Sequence, residues 1–282
     1  MQLRIETMKA PPETVIAAGQ GGRRYLQDLL LYRELFLFLA WRDLLVRYKQ
    51  TVVGVAWALV RPVLTMVVLT FVFQKLGRMP SGNVPYPLMV FSGLLPWMFF
   101  AGVLGDSGNS VVASGGLITK VYFPRLLIPL GTLVTNTADF LISLVFLGLL
   151  MLWYQFFPSP NILFLPLFLL LAAATSLGSG LWVAASMVKY RDFRFIVPFA
   201  IQFGLYISPV GFQSNVVPPE YELLYSMNPM VGVIDGFRWC ILGGDYALDM
   251  RALGVSVAVS SALLLSGIWY FRKTERSFAD VI

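Results

Sequence analysis

Six stretches of 18 or more residues, 51–73, 86–104, 126–157, 163–187, 195–212 and 252–271, pass almost without charge. A helix needs about 20 mostly apolar residues to cross the hydrocarbon core of a bilayer. In that solvent every backbone N–H and C=O must find its partner within the protein, and a helix does this segment by segment. The expected fold is therefore all-α: a polytopic membrane protein with six transmembrane helices. The 126–157 stretch is too long for one bilayer, so it tilts, kinks or projects beyond it. "FPSPN" (157–161) makes a proline turn between the third and fourth spans.

Composition supports this and removes several chemistries. Of the 282 residues, 57% are hydrophobic and 13% charged, where an ordinary soluble domain carries roughly 25% charge. Mean hydropathy is +0.73. The chain has no histidine, hence neither the commonest general base nor the commonest metal ligand. Its single cysteine, Cys240, forms no internal disulfide and no cysteine-cluster zinc site. It is expected to act as a small buried hydrophobe.

Orientation follows from Lys and Arg, which collect on the cytoplasmic side. With the N-terminus inside, sixteen basic residues lie in cytoplasmic segments. They are Arg4, Lys9, Arg23, Arg24, Arg33, Arg42, Arg47 and Lys49 before the first span, Lys120 and Arg125 after the second, Lys189, Arg191 and Arg194 after the fourth, and Arg272, Lys273 and Arg276 at the end. Only Lys75, Arg78, Arg238 and Arg251 fall outside, and Arg61 lies within the first span. Both termini are expected to be cytoplasmic. The net charge of +6 is then topological charge and not a nucleic-acid-binding surface.

Residues 1–26 interrupt any signal-peptide core with charge, and their prolines and glycines read as a flexible cytoplasmic tail. Residues 27–50, "QDLLLYRELFLFLAWRDLLVRYKQ", are helical in pattern but too often charged to span. They read as an amphipathic helix in the interface plane, with Trp41 and Tyr48 at headgroup level, or else as a partly buried cytosolic helix. The six-span domain occupies 51–272, and 273–282 form a cytoplasmic tail. Its one sizeable external segment, 213–251, is too short for a domain. Short helices returning toward the membrane, ended by Gly243 and Gly244, are expected there.

No G-x-x-x-x-G-K-[ST] pattern occurs, so no P-loop holds ATP in this chain. "GDSGNS" (105–110) resembles a serine-protease nucleophile stretch, but a nucleophilic serine needs a base; it reads as a small-residue helix end. "AAATSLGSGLWVAAS" in the fourth span lets helices approach closely at Ala174, Gly178 and Gly180.

An ordered set of motifs points to a family. "RYKQTVVGVAW" (47–57), "GLLPWMFF" (93–100), "KVYFPR" (120–125), "KYRDF" (189–193) and "NPM" (228–230) together resemble the permease subunits of type-2 ABC exporters for bacterial surface polysaccharide. The O-antigen permeases are the nearest group, with capsule and teichoic-acid permeases as relatives. The resemblance runs from about residue 32 to 271. It implies a homodimer of six-span subunits in the bacterial inner membrane, paired with two separate ABC ATPase subunits. Those subunits would bind ATP and Mg, and this chain would carry no cofactor and catalyse no reaction. The substrate implied is a glycan on a polyprenyl pyrophosphate lipid.

The resemblance also implies residue roles. The turn after the second span, "GLITKVYFPR" (116–125), would be a coupling element on the ATPase, with Tyr122 and Phe123 filling a cleft and Lys120 and Arg125 pairing with rim acids. A turn held against lipid headgroups would suit the same residues. The first and fifth spans would line a conduit in which Trp57, Phe71, Phe73, Phe199, Phe203 and Tyr206 offer aromatic faces to sugar C–H surfaces. Arg61 would grip the pyrophosphate, or pair with Asp139, or snorkel to the interface. An enzyme of lipid-linked sugars should show an acidic cluster or a large catalytic loop. An ion-coupled transporter should show several intramembrane acids, and here only Asp139 is mid-span.

Overall fold

The computed structural model describes residues 22–49, 54–244 and 246–278. Among these the protein is helical, with no strand. Helices α1 (Gly22–Leu31) and α2 (Arg33–Lys49) precede the bundle. The helical part begins at Gly22, ahead of the expected start at residue 27, while 1–21 lie outside the described residues. α2 packs on the bundle through Leu39 and Ala40, and leaves Leu37, Phe38 and Trp41 exposed on its other side. That one-sided exposure fits a helix lying along a membrane surface.

Five helical stretches are long and apolar enough to cross a membrane: Ala58–Leu76, Tyr86–Ala113, Leu127–Trp153, Pro160–Lys189 and Met250–Thr274. The protein is therefore a multi-pass membrane protein. The first of these comprises most of α3 (Gly54–Thr70) and a π-helical turn, Phe71–Leu76. The next is α4 (Tyr86–Ala113), then a single turn α5 (Gly115–Ile118) and α6 (Leu127–Trp153). α7 (Leu165–Lys189) follows a short 3-10 turn. α6, at 27 residues and about 1.5 Å per residue, is longer than the roughly 30 Å core, as its overlong apolar stretch foretold.

The fifth apolar stretch behaves differently. It forms α8 (Phe193–Ile207), only 15 residues long and about 22 Å in rise. Its helix stops because Pro209 follows Ser208, and the residue before a proline is pushed out of the α region; Ser208 sits at ψ 151°. The chain then runs as a buried loop, with Ser208, Val210 and Gly211 all inside. α9 (Glu222–Ser226) and α10 (Pro229–Ile241) follow, then α11 (Met250–Thr274).

The hub is α4. Of its best apolar window 72% is buried, against 17% for the corresponding windows of α3 and α11, so α4 is the helix the others surround. α7 crosses α11 where both are small: a Cβ on Gly178 would stand 2.6 Å from the Leu264 nitrogen, and one on Gly267 would stand 2.4 Å from the Gly178 oxygen. Gly180 likewise meets Ser107 of α4 at 2.8 Å. The small-residue reading of the fourth span is thus a packing fact at Gly178 and Gly180. The "GDSGNS" stretch lies inside α4, which continues to Ala113. Ser107 is fully buried with its hydroxyl 2.8 Å from that of Thr132, so it serves helix packing.

α10 is the long helix of the excursion after α8. It does not stay at a surface: Met230, Val233, Ile234, Phe237 and Cys240 are buried against α4, α7 and α11. It ends as the sequence indicates, with Gly243 and Gly244 both at φ +57°, the left-handed conformation that glycine adopts without strain.

Candidate functional site

Two regions carry the residues singled out from the sequence. The first is the loop between α4 and α6. α5 is one turn; the N–H groups of Thr119, Lys120 and Val121 still reach back to Gly115 and Leu117, and the chain from Tyr122 to Pro124 has no regular structure. Lys120, Val121 and Tyr122 face outward, with Val121 50% and Tyr122 57% exposed. They border a cleft of about 200 Å³ lined by residues 118–123 and Arg125. Phe123 is a correction. The sequence reading sends it into a partner's cleft, yet it is 3% exposed and belongs to the protein's own apolar cluster with Ile118, Leu126 and Leu127. Adjacent in the loop, Tyr122 turns out and Phe123 turns in. Arg125 is half-buried, its guanidinium 6.0 Å above the ring of Phe278.

The second region is the pair α3 and α8. Along α8 only Val197 is buried; Phe199, Phe203 and Tyr206 are 68%, 56% and 55% exposed. The rings of Phe199 and Phe203 lie parallel, 5.9 Å apart. On α3 and its π turn, Leu64, Val67, Val68 and Phe71 are exposed, as is Arg61. Phe73 is half-buried: it packs on Gly211, where any Cβ would strike its ring at 2.6 Å, and meets Phe212 at 6.0 Å. The π turn that ends α3 therefore touches the loop after α8 through Phe73. The side chain of Trp57 lies outside the described residues.

Asp139 has partners that the sequence did not suggest. It takes the Tyr48 hydroxyl as donor and pairs with Arg47 at 2.8 Å. Arg47 also reaches Asp106 at 3.1 Å, and Asn136 donates to that same carboxylate at 2.8 Å. The Arg61–Asp139 pair is thus overturned, because Arg47 of α2 occupies the position at Asp139. One arginine bridges carboxylates on α4 and α6, which ties the surface helix to the bundle.

Arg238 was missed altogether. Counted as an external topology charge, it is instead 1% exposed. Its guanidinium donates to the Val210 oxygen at 2.9 Å, the Phe212 oxygen at 2.8 Å and the Met89 oxygen at 3.4 Å, with Asp235 at 4.0 Å. Tyr86 donates to the Gly211 oxygen between them at 2.6 Å. Irregular backbone at depth must have its carbonyls satisfied by protein, and Arg238 and Tyr86 do this for the loop that ends α8. Gly93 makes the room, since a Cβ there would meet Nη2 at 3.0 Å. The available signal was a charge embedded in "GFRWCIL", three residues after Asp235.

This helical, multi-pass architecture is accompanied by a sequence match that fixes its class. Residues 34–242 match the family model described as ABC-2 type transporter, and the chain belongs to that family. Among curated relatives, the O-antigen export system permease protein RfbA of Myxococcus xanthus is 29% identical over 262 residues, covering 92% of this chain and 99% of that one. The RfbA permease of Klebsiella pneumoniae is 26% identical, covering 92% and 96%. The polysialic acid transport protein KpsM of Escherichia coli is 22% identical, covering 84% and 92%.

Proposed function

We propose that this chain is the permease subunit of an ATP-driven exporter that moves a polyprenyl-pyrophosphate-linked polysaccharide of O-antigen type across the bacterial inner membrane. The observation that carries the reading is the end-to-end match to permeases named for O-antigen export. The KpsM similarity favours a second reading of the same machine, with a capsular polymer as substrate. Two copies of the chain would face each other through the apolar, aromatic sides of α3 and α8, which a single copy leaves uncovered. Phe71, Phe199, Phe203 and Tyr206 would then line the conduit with Phe73 and Trp57 near it, and exposed Arg61 would be available to a phosphate group. Two ABC ATPase subunits, holding ATP and Mg, would dock on Lys120, Val121 and Tyr122, and Phe123 would anchor the loop from within. No catalytic role falls to this chain.

This reading needs the α4–α6 loop to be cytoplasmic, together with both termini. Single cysteines in a Cys240→Ala background test it, since Pro160 and Glu220 are exposed at one end of the bundle and Lys120 and Lys273 at the other. An impermeant thiol reagent should label Pro160→Cys and Glu220→Cys in intact spheroplasts, and Lys120→Cys and Lys273→Cys only after lysis. Labelling of Lys120→Cys from outside would remove the loop from the ATPase's compartment and refute the proposal.

A further inference from the structure

We infer that the two ends of the described chain form a clasp that fixes the α4–α6 loop from behind. The inference builds on the proposed docking role of that loop, but the contacts stand on their own. The Tyr25 hydroxyl of α1 donates to Glu275 just past α11 at 3.1 Å, and its ring packs against the apolar cluster that holds Leu126, where the loop enters α6. Burial first, and then the Glu275 carboxylate, push the Tyr25 phenol well above its ordinary range, so it stays a donor at all working pH values. Arg272 lies over the same ring, 4.4 Å from its centre. A single side chain thus joins α1, the loop's exit and the end of α11.

Phe278 closes the second half. It follows the turn Glu275–Ser277, is fully buried, and meets Phe271 edge-on at 5.3 Å. Arg125 covers it from the loop side. Phe278 and Phe271 share one apolar cluster with the loop residues Ile118 and Phe123, and Tyr25 packs against that cluster. The loop has little regular structure, so its shape is set by what lies underneath it. The inner face belongs to the clasp, and the outer face of Lys120, Val121 and Tyr122 is left for a partner. Coupling the ends to the loop also means that movement of α11 or α1 is felt at the docking face without passing through α4 or α6.

Hydrogen exchange on the full-length protein in nanodiscs tests this. Tyr25→Phe keeps the ring under Arg272 and removes only the hydroxyl. Amides of residues 119–126 should then exchange about fivefold faster or more, the loss of roughly one buried hydrogen bond, while α4 and α7 are unchanged. Phe278→Ala should loosen the same amides further, and Phe278→Leu should restore most of the protection. If Phe278→Ala does not accumulate, Tyr25→Phe and Glu275→Gln decide the matter. Unchanged exchange over 119–126 in these variants overturns the clasp. A separate arm measures recovery of the co-expressed ABC ATPase subunit with Tyr122→Ala. Full recovery there, with faster loop exchange in Tyr25→Phe, would keep the clasp and reject the docking role.

Discussion

Arg238→Leu should lower stability by about 3 kcal/mol or more, a loss larger than any surface change in this protein. The variant strips the donor from the carbonyls of Val210 and Phe212, each of which costs about 1–3 kcal/mol when left buried and unpaired, while the Met89 carbonyl keeps the Ser92 hydroxyl at 2.9 Å. Asp235, which also accepts from Ser214 at 2.5 Å, loses the neighbouring cation as well. Arg238→Lys should recover only part of the loss, because one ammonium on a flexible stem does not reproduce a planar fork directed at separate acceptors. Thermal unfolding in detergent, followed by size-exclusion recovery, reads the difference. An unchanged melting temperature in Arg238→Leu would mean that the loop after α8 does not depend on this residue.

The second large effect separates two adjacent aromatics. Tyr122→Ala should weaken the complex with the ATPase subunit by about 2 kcal/mol or more, roughly 30-fold in Kd, as buried aromatic anchors do. The fold should not notice, since the ring is 57% exposed. Phe123→Ala should do the opposite in kind. Its ring lies in the core, and deleting it leaves a cavity that costs about 3–5 kcal/mol of stability, with binding lost only as the loop collapses. Lys120→Gln should have the smallest effect and mainly flatten the salt dependence of association. Pull-down of the ATPase at two salt concentrations, beside a melting curve for each variant, distinguishes them. Equal melting losses in Tyr122→Ala and Phe123→Ala would contradict the inside-outside division of the loop.

The parts of this protein that were legible from sequence are those set by local rules. Apolar length marks the spans because the bilayer imposes it, and Gly243–Gly244 end α10 because left-handed backbone favours glycine. Pro209 could have shortened the fifth span on paper, since it bars Ser208 from the helix. Arg238 could not be read this way: its acceptor Met89 is 149 positions away, and no periodicity connects them. The same holds for Asp139, whose true partner on α2 precedes it by nearly a third of the chain, and for Phe278, which looks like tail composition until α11 carries it under the loop. The division between Tyr122 and Phe123 is a tertiary outcome as well, because both are aromatic and only the cluster beneath the loop chooses between them. The aromatics of α8 were found for their residue type, and their exposure is a tertiary outcome that no local rule sets.

The proposed exporter moves a lipid-linked polysaccharide only when a separate ATPase drives it. Proteoliposomes containing the permease, with or without its ABC ATPase partner, and loaded with a polyprenyl-pyrophosphate-linked O-antigen glycan, test it most directly. Lectin accessibility reports which leaflet the glycan occupies. Glycan should cross only when both subunits and hydrolysable ATP–Mg are present, and the permease alone should neither hydrolyse ATP nor move the lipid. Transfer by the permease alone, ATP hydrolysis by the permease alone, or no transfer by the active complex with this class of glycan would contradict the account.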